Sequence, residues 1–157
     1  MASIDRSDPV ILGHVLAEHR DLFNLMLSVR STFAADGPPT LELRTALLTC
    51  LKELRRHLAE HFAQEERGGF LEEAVTRVPR LSAAVRSILG QHPALLAELD
   101  ALIREFENTP LQAAAWAAAW SRADRAFEVF SDHMTAHERR ENAVVQEGYN
   151  EDLGLME

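Results

Sequence analysis

The chain of 157 residues is long enough for one domain, and its 46% hydrophobic content is sufficient to bury a core. A net charge of −9 argues against a nucleic-acid partner, since proteins that bind the phosphate backbone present a basic face. No apolar run reaches the roughly 18 residues needed to cross a bilayer, and the N-terminus has no apolar signal core. We therefore predict a soluble cytoplasmic protein without a membrane partner, folded as a single domain over residues 1–157.

Two helices are predicted in the first half of the chain. The first begins at Ser7 or Asp8, which can cap its free amides, and ends near Ala35. The second begins at Thr40, again a capping residue, and ends at the glycine pair 68–69. Apolar residues recur every three or four positions in both, which indicates that each helix presents one face to a core.

Two further long helices are predicted in the second half. After a short helical segment at "FLEEAVTRV", the third covers about 81–107 and should kink or break near Gly90, because Pro93 removes a backbone hydrogen bond. The stretch "LQAAAWAAAW" is expected to form its own segment, with "SRAD" (residues 121–124) restarting the last helix as a capping box. That helix should end near Glu147, leaving a loose tail at 148–157. Four long helices with short connections favour an all-α, up-down-up-down four-helix bundle with its core at about 8–147.

Histidine and glutamate recur at helical spacing on the second and fourth of these helices. Two matching triplets, offset by 76 positions, are formed by His57, His61 and Glu65 and by His133, His137 and Glu141. Residues four apart share one face of a helix, and the second and fourth helices of an up-down bundle run in the same direction. The two triplets can therefore lie level across the interior. The first and third helices each add one inward histidine, His19 and His92.

Burying so many polar groups in one core is costly unless something satisfies them. Metal ions do so well, because imidazole nitrogens bind terminally and a carboxylate can bridge two ions. The single cysteine, Cys50, excludes a thiolate cluster. We therefore predict a dinuclear metal site, in which Zn or Mn are acceptable to the donors as well as iron. Its predicted ligands are His19, His61, Glu65, His92, His137 and Glu141.

Four short motifs resemble the hemerythrin-like, or HHE cation-binding, domain family over roughly residues 8–147. They are "LAEHRDL" around His19, "HFAQEE" for His61 and Glu65, "GQHPALL" around His92, and "HERREN" for His137 and Glu141. The resemblance implies a four-helix bundle that holds a non-haem diiron centre with an oxo or hydroxo bridge. It also implies that the four histidines are terminal ligands and the two glutamates are bridging carboxylates.

The resemblance further implies that the protein binds O2 or a related small oxidant or anion, for sensing, storage or delivery. In the O2 carriers the third helix has two histidines one turn apart, whereas Ile88 and Leu96 stand at that spacing from His92. The chain is therefore more similar to the bacterial and sensory branch. An alternative is a diiron oxidoreductase that acts on peroxide, NO or ferrous iron, and a third is a metal-free helical interaction module. A homodimer or another protein partner stays open.

His57 and His133 are additional to the ligands that the family implies. They either form hydrogen bonds behind the ligands or replace one of them, or they lie solvated at the edge of the stripe, and both interpretations stay open. Glu66, adjacent to Glu65, is expected to point away from the stripe into solvent.

Overall fold

The computed structural model describes residues 19–110 and 112–154, and every regular element in these ranges is helical. Helix α1 is described over residues 19–33, and its predicted start at Ser7 or Asp8 lies outside the described residues. None of the described helices is both long and apolar enough to span a membrane. The remaining elements are α2 (Leu41–Glu66), α3 (Phe70–Arg77), a 3-10 turn (Pro79–Leu81), α4 (Ser82–Gly90), α5 (His92–Asn108) and α6 (Ala113–Gly154).

Local sequence signals explain where α2 begins and ends and where the third predicted helix is interrupted. The Thr40 hydroxyl accepts a hydrogen bond from the backbone amide of Leu43 at 3.1 Å, which is the predicted cap. After α2, Gly68 has a φ of +108°, a conformation that glycine adopts without a steric cost. The predicted interruption near Gly90 is confirmed, because α4 ends there and α5 begins at His92, with Pro93 in its first turn.

The predicted restart of the last helix at residues 121–124 is wrong. Helix α6 continues through this stretch, in which Ser121 and Arg122 are exposed. A capping box would require a break in the backbone hydrogen bonds, and alanine-rich flanks favour helix more than any other composition. The Arg122 guanidinium instead pairs with Glu105 of α5 at 3.0 Å.

The predicted loose tail from residue 148 is also wrong as far as the structure describes it, since α6 extends to Gly154. Gly148 lies inside the helix where a Cβ would meet the Ala74 Cβ at 2.8 Å, so this glycine permits close contact with α3. Tyr149 is buried, and the Arg77 guanidinium lies 4.0 Å from its ring centroid. These contacts hold residues 148 and 149 of α6 against α3.

The described residues form two compact units. The first unit comprises residues 19–21, 60–92 and 135–154, and the second comprises 22–59, 93–110 and 112–134. The prediction of a single domain is not tested by this division. An apolar cluster from α3, the 3-10 turn, α4 and the end of α6 fills part of the first unit; its members are Leu71, Ala74, Val78, Leu81, Val85, Ile88, Val144, Val145 and Tyr149.

Side-chain pairs within the second unit establish the directions of its helices. Between α2 and α5, Arg55 pairs with Asp100 at 3.0 Å and Lys52 with Glu107 at 2.8 Å, so sequence numbers fall on one helix as they rise on the other. The two helices are therefore antiparallel. The same relation holds between α5 and α6 and between α1 and α6, as shown by the pairs Glu98–His133, Glu105–Arg122, Arg30–Glu128 and Phe33–Trp120. The predicted all-α, up-down-up-down arrangement is thus observed.

Candidate metal centre

The structure brings together the six side chains predicted as metal ligands, all within the first unit. Five are buried, and the side chain of the sixth, Glu65, is only 11% exposed. They form two groupings in which one potential ligand atom from each residue lies within 4.8 Å of the others. The first grouping contains Glu65, His92, His137 and Glu141, and the second contains His19, His61 and Glu141. That these residues bind metal stays a prediction.

The two carboxylates lie between the groupings. Glu141 Oε1 is 2.7 Å from His137 Nε2, and its Oε2 is 3.2 Å from His19 Nε2. Glu65 Oε1 is 3.1 Å from His61 Nε2 and 3.7 Å from His92 Nε2. Each carboxylate therefore faces one imidazole from each of the two groupings. This is the arrangement that a bridging carboxylate needs.

Hydrogen bonds orient two of the imidazoles towards the cluster. His92 Nδ1 pairs with Glu66 Oε1 at 3.0 Å, and His137 Nδ1 pairs with the Gln91 Oε1 at 2.7 Å. Because an oxygen acceptor requires a proton on Nδ1, the Nε2 atoms of both rings keep their lone pairs for another partner. Within the described residues both Nε2 atoms are buried without a hydrogen-bond partner, as is Glu141 Oε1, which lies 2.7 Å from His137 Nε2 but faces it as a second acceptor. A metal ion would satisfy all three atoms, so the donor set fits one.

The break between α4 and α5 positions two of these groups. Gln91 lies between the two helices and His92 is the first residue of α5, so the break presents the Gln91 amide and the His92 ring side by side. Phe62 of α2 stacks flat on the His92 ring, with centroids 3.7 Å apart and an interplanar angle of 4°. The His92 ring is thus fixed by a hydrogen bond at its edge and by an aromatic ring on its face.

Burial and neighbouring groups keep two of the donors, His92 and Glu141, in the protonation states that metals require. Burial lowers the pKa of His92, and His137 adds to this effect, whereas the hydrogen bond with Glu66 opposes it. For Glu141, burial acts to raise the pKa, but His137, His19 and Glu65 together outweigh it and hold the pKa well below its usual value. The result is a neutral imidazole and an ionised carboxylate, both of which are ligand forms.

Three residues of the site were missed or misjudged from the sequence. The expectation that Glu66 is merely solvated is wrong: its side chain is half exposed, but its carboxylate holds His92. Gln91 carries no periodic signal, because it lies in the helix break. Glu138, which follows His137, has its Oε1 buried without a hydrogen-bond partner in the described part of the chain. Burial raises the pKa of Glu138, and the charges of His19 and Glu141 also act on it.

The structure does not bring His57 and His133 into either grouping of the described residues. His57 is half-buried, and the side chain of His133 is 56% exposed, with its Nδ1 2.9 Å from Glu98 Oε1. Both histidines belong to the second unit. The position of His133 favours the solvated interpretation, while a role for either residue in tuning the metal stays a prediction.

A cavity of about 360 Å³ adjoins the cluster on one side. Its lining includes His19, His61, Glu65 and Glu141 but, among the described residues, neither His92 nor His137. The rest of the wall comes mainly from the last turn of α2, the turn after it and the start of α3, through Gln64, Gly68, Gly69, Phe70, Leu71 and Glu73, together with Val145 of α6. A small molecule in this cavity would meet the site at the His19–His61 grouping.

Comparison with known proteins identifies one family. A family model described as Hemerythrin HHE cation binding domain matches residues 10–149. The match covers all six predicted ligands and most of the chain. No curated protein and no solved structure matches.

Proposed function

Because this chain belongs to the hemerythrin HHE cation-binding domain family, we propose that its six buried histidines and glutamates hold two iron ions. At this centre the protein binds O2 or a related small oxidant, for sensing, storage or delivery. The observation that supports two ions rather than one is the position of Glu141, whose two oxygens face imidazoles of different groupings at 2.7 and 3.2 Å. Iron is proposed on the strength of the family, since the donor set also suits Zn or Mn.

The chain's own residues would hold the metal in a fixed environment. Glu66 and Gln91 hold the rings of His92 and His137 so that their Nε2 atoms face the cluster. When bound, a pair of ferrous ions supplies two electrons to a small oxidant. Phe70, Leu71 and Val145 give the cavity an apolar wall, which limits access of water to the His19–His61 side. The site is therefore held rigidly at His92 and His137 and is accessible from the cavity at His19 and His61.

The proposal is tested by loading the purified protein with Fe(II) under anaerobic conditions, followed by elemental analysis. O2 is then added and the electronic spectrum is recorded with and without azide. We expect two ions per chain and an absorption band that persists and that azide alters. Glu141→Gln should lose at least one ion, whereas Asp132→Asn, a matched change at an exposed position of α6, should not. Wild-type protein with no bound metal, and with a melting temperature unaffected by chelation, would instead favour the metal-free helical module.

A second candidate function is supported by the size of the cavity. A volume of about 360 Å³ exceeds what a diatomic molecule needs, and Gln64 and Glu73 give the wall polar groups. These features favour an oxidoreductase that acts on peroxide, NO or ferrous iron. Repeated additions of peroxide to the iron-loaded protein distinguish the two functions. Sustained consumption over many turnovers indicates an enzyme, whereas a stoichiometric response followed by a stable spectrum indicates a carrier or sensor.

A further inference from the structure

We infer that Glu138 is a third carboxylate ligand of this centre and serves the His19–His61 grouping. The inference rests on the proposed function, because it requires that the cluster holds metal. Glu138 belongs to neither of the ligand sets predicted above. Its assignment rests on its burial, on its place in the repeat and on the balance of donors between the groupings.

Glu138 buries an oxygen that has no partner. Its Oε1 is inaccessible to solvent, and the described residues provide no hydrogen bond to it. Each carboxylate oxygen offers about two acceptor positions, so the burial of one oxygen without any donor is unusual. The titratable groups near enough to act on this side chain are His19, Glu141, His61 and His137, all of them proposed ligands. A cation bound between these residues is therefore the partner that this oxygen lacks.

The repeat between α2 and α6 shows that packing does not require a carboxylate at this position. An offset of 76 residues that relates His61 to His137 also relates Phe62 to Glu138. Phe62 covers the His92 ring as a stacked aromatic side chain. Helix α6 thus has a carboxylate at the position where α2 has an apolar side chain packed on a histidine ring. Since Glu138 lies three residues before Glu141, the two carboxylates occupy neighbouring positions on α6.

The donor sets of the two groupings are unequal without Glu138. The grouping around His92 and His137 has four residues, whereas the grouping around His19 and His61 has three. Adding Glu138 gives each grouping two imidazoles and two carboxylates. No atom of Glu138 belongs to the two groupings whose ligand atoms lie within 4.8 Å of one another. Its side chain therefore reaches the ion through a change of rotamer when metal binds. In the structure Glu138 does not line the cavity.

The test compares wild-type protein with Glu138→Gln and with Asp132→Asn, a matched carboxylate-to-amide change at an exposed position of α6. Metal content and affinity are measured by chelator competition, and the electronic spectrum and azide affinity are recorded for the iron-loaded forms. We expect the wild type and Asp132→Asn to bind two ions. Glu138→Gln should keep one ion and bind the second at least about tenfold more weakly, with an altered spectrum.

Glu138→Asp, which retains a shorter carboxylate, should recover part of the affinity for the second ion. Circular dichroism of the apo forms shows whether each variant folds, and Glu138→Gln is expected to be at least as stable as wild type because it removes a buried charge. Two ions bound by Glu138→Gln with wild-type affinity and spectrum would overturn the inference and leave the proposed function intact. A wild-type protein unable to bind two ions would overturn both.

Discussion

The two compact units bury different kinds of side chain, although α2 and α6 contribute residues to both. Among the described residues, the first unit buries the imidazoles and the carboxylate of its cluster, whereas the second buries a single polar side chain, Ser131. The Ser131 hydroxyl accepts a hydrogen bond from Arg30 Nη2 at 2.8 Å, so it is satisfied by the protein itself. Within the ranges that the structure describes, the first unit has buried acceptor atoms without a hydrogen-bond partner, on His92, His137 and Glu141, whereas the buried atom without a partner in the second unit is Arg44 Nε, a donor that a cation cannot satisfy. The difference supports the proposal that a cation binds in the first unit.

Aromatic packing holds the second unit. Phe33 contacts Phe106, Phe127 and Trp120, with ring centroids 5.3 to 6.3 Å apart. Such rings stabilise a fold through apolar burial and need no ligand. In α2 and α6, histidine and glutamate replace apolar residues at a few inward positions of the first unit. The inward face of the same helix thus carries apolar packing in one unit and the proposed metal ligands in the other.

The largest expected effect separates packing from metal binding. Phe127→Ala removes a fully buried ring from the second unit and should lower the free energy of unfolding by about 3–5 kcal/mol. Metal content should not change, because the ring contacts of Phe127 in the described part of the chain are with Phe33 and Phe130 of the second unit. Urea unfolding and elemental analysis measure the two effects, with Val129→Ala at an exposed position as control. A Phe127→Ala protein that folds but binds no metal would contradict the separation of packing in the second unit from metal binding in the first.

Metal removal should destabilise the protein through the first unit. A cation that binds only the folded chain adds about 2.7 kcal/mol at a free concentration one hundred times its Kd, and chelation removes this contribution. Hydrogen exchange with and without metal locates the effect, which we expect in segments 60–92 and 135–149. Equal loss of protection in 93–110 would show that metal dependence is not confined to the first unit.

A smaller effect should follow from crowding the contact between α3 and α6. In Gly148→Ala the new methyl group would lie 2.8 Å from the Ala74 Cβ, and such overpacking costs about 1–3 kcal/mol. Gly90→Ala is the matched control, because a Cβ at position 90 meets nothing within 4 Å. This control should be neutral or stabilised, since alanine favours helix over glycine. Equal urea midpoints for the two variants would contradict the close contact.

The smallest effect concerns pH in the apo protein. The pKa of His92 is lowered in the folded state below its usual 6.5, so the unfolded chain binds more protons in the interval between the two values. The free energy of unfolding therefore decreases as pH falls below about 6.5, by at most about 1.4 kcal/mol per pH unit from one group. Glu138, with its raised pKa, contributes a slope of opposite sign.

The comparison of wild type with His92→Gln isolates the His92 contribution, because both proteins retain Glu138. Urea unfolding between pH 8 and 5.5, with chelator present, should give a steeper decrease in stability for wild type. If the free energy of unfolding changed with pH in the same way for both proteins, the pKa of His92 would not be lowered in the folded state.

Helical periodicity and the spacing of His61, Glu65, His137 and Glu141 were sufficient to predict the bundle and the residues brought together. Pro93 revealed the break in the third helix, because its ring cannot continue the backbone hydrogen bonds. The contacts of Glu66 and Gln91 depend on how each helix is rotated about its axis and on where the break falls. A single sequence does not encode these quantities in a periodic pattern.

The two errors about α6 have a similar origin. A serine followed three residues later by an acid resembles a capping box, yet strong helix formers on both sides continue the helix through it. Gly148 resembles a terminating glycine, whereas its small size serves contact with Ala74. The sequence does contain a signal for Glu138, because this charged residue stands 76 positions after the buried Phe62, where the repeat would place an apolar residue.

The most direct test of the dinuclear centre is an anomalous diffraction map of the iron-loaded crystalline protein, collected at the iron absorption edge. Two peaks are predicted, one bounded by His92, His137, Glu65 and Glu141, and the other by His19, His61 and Glu141. A single peak, or peaks remote from Glu141, would contradict the account.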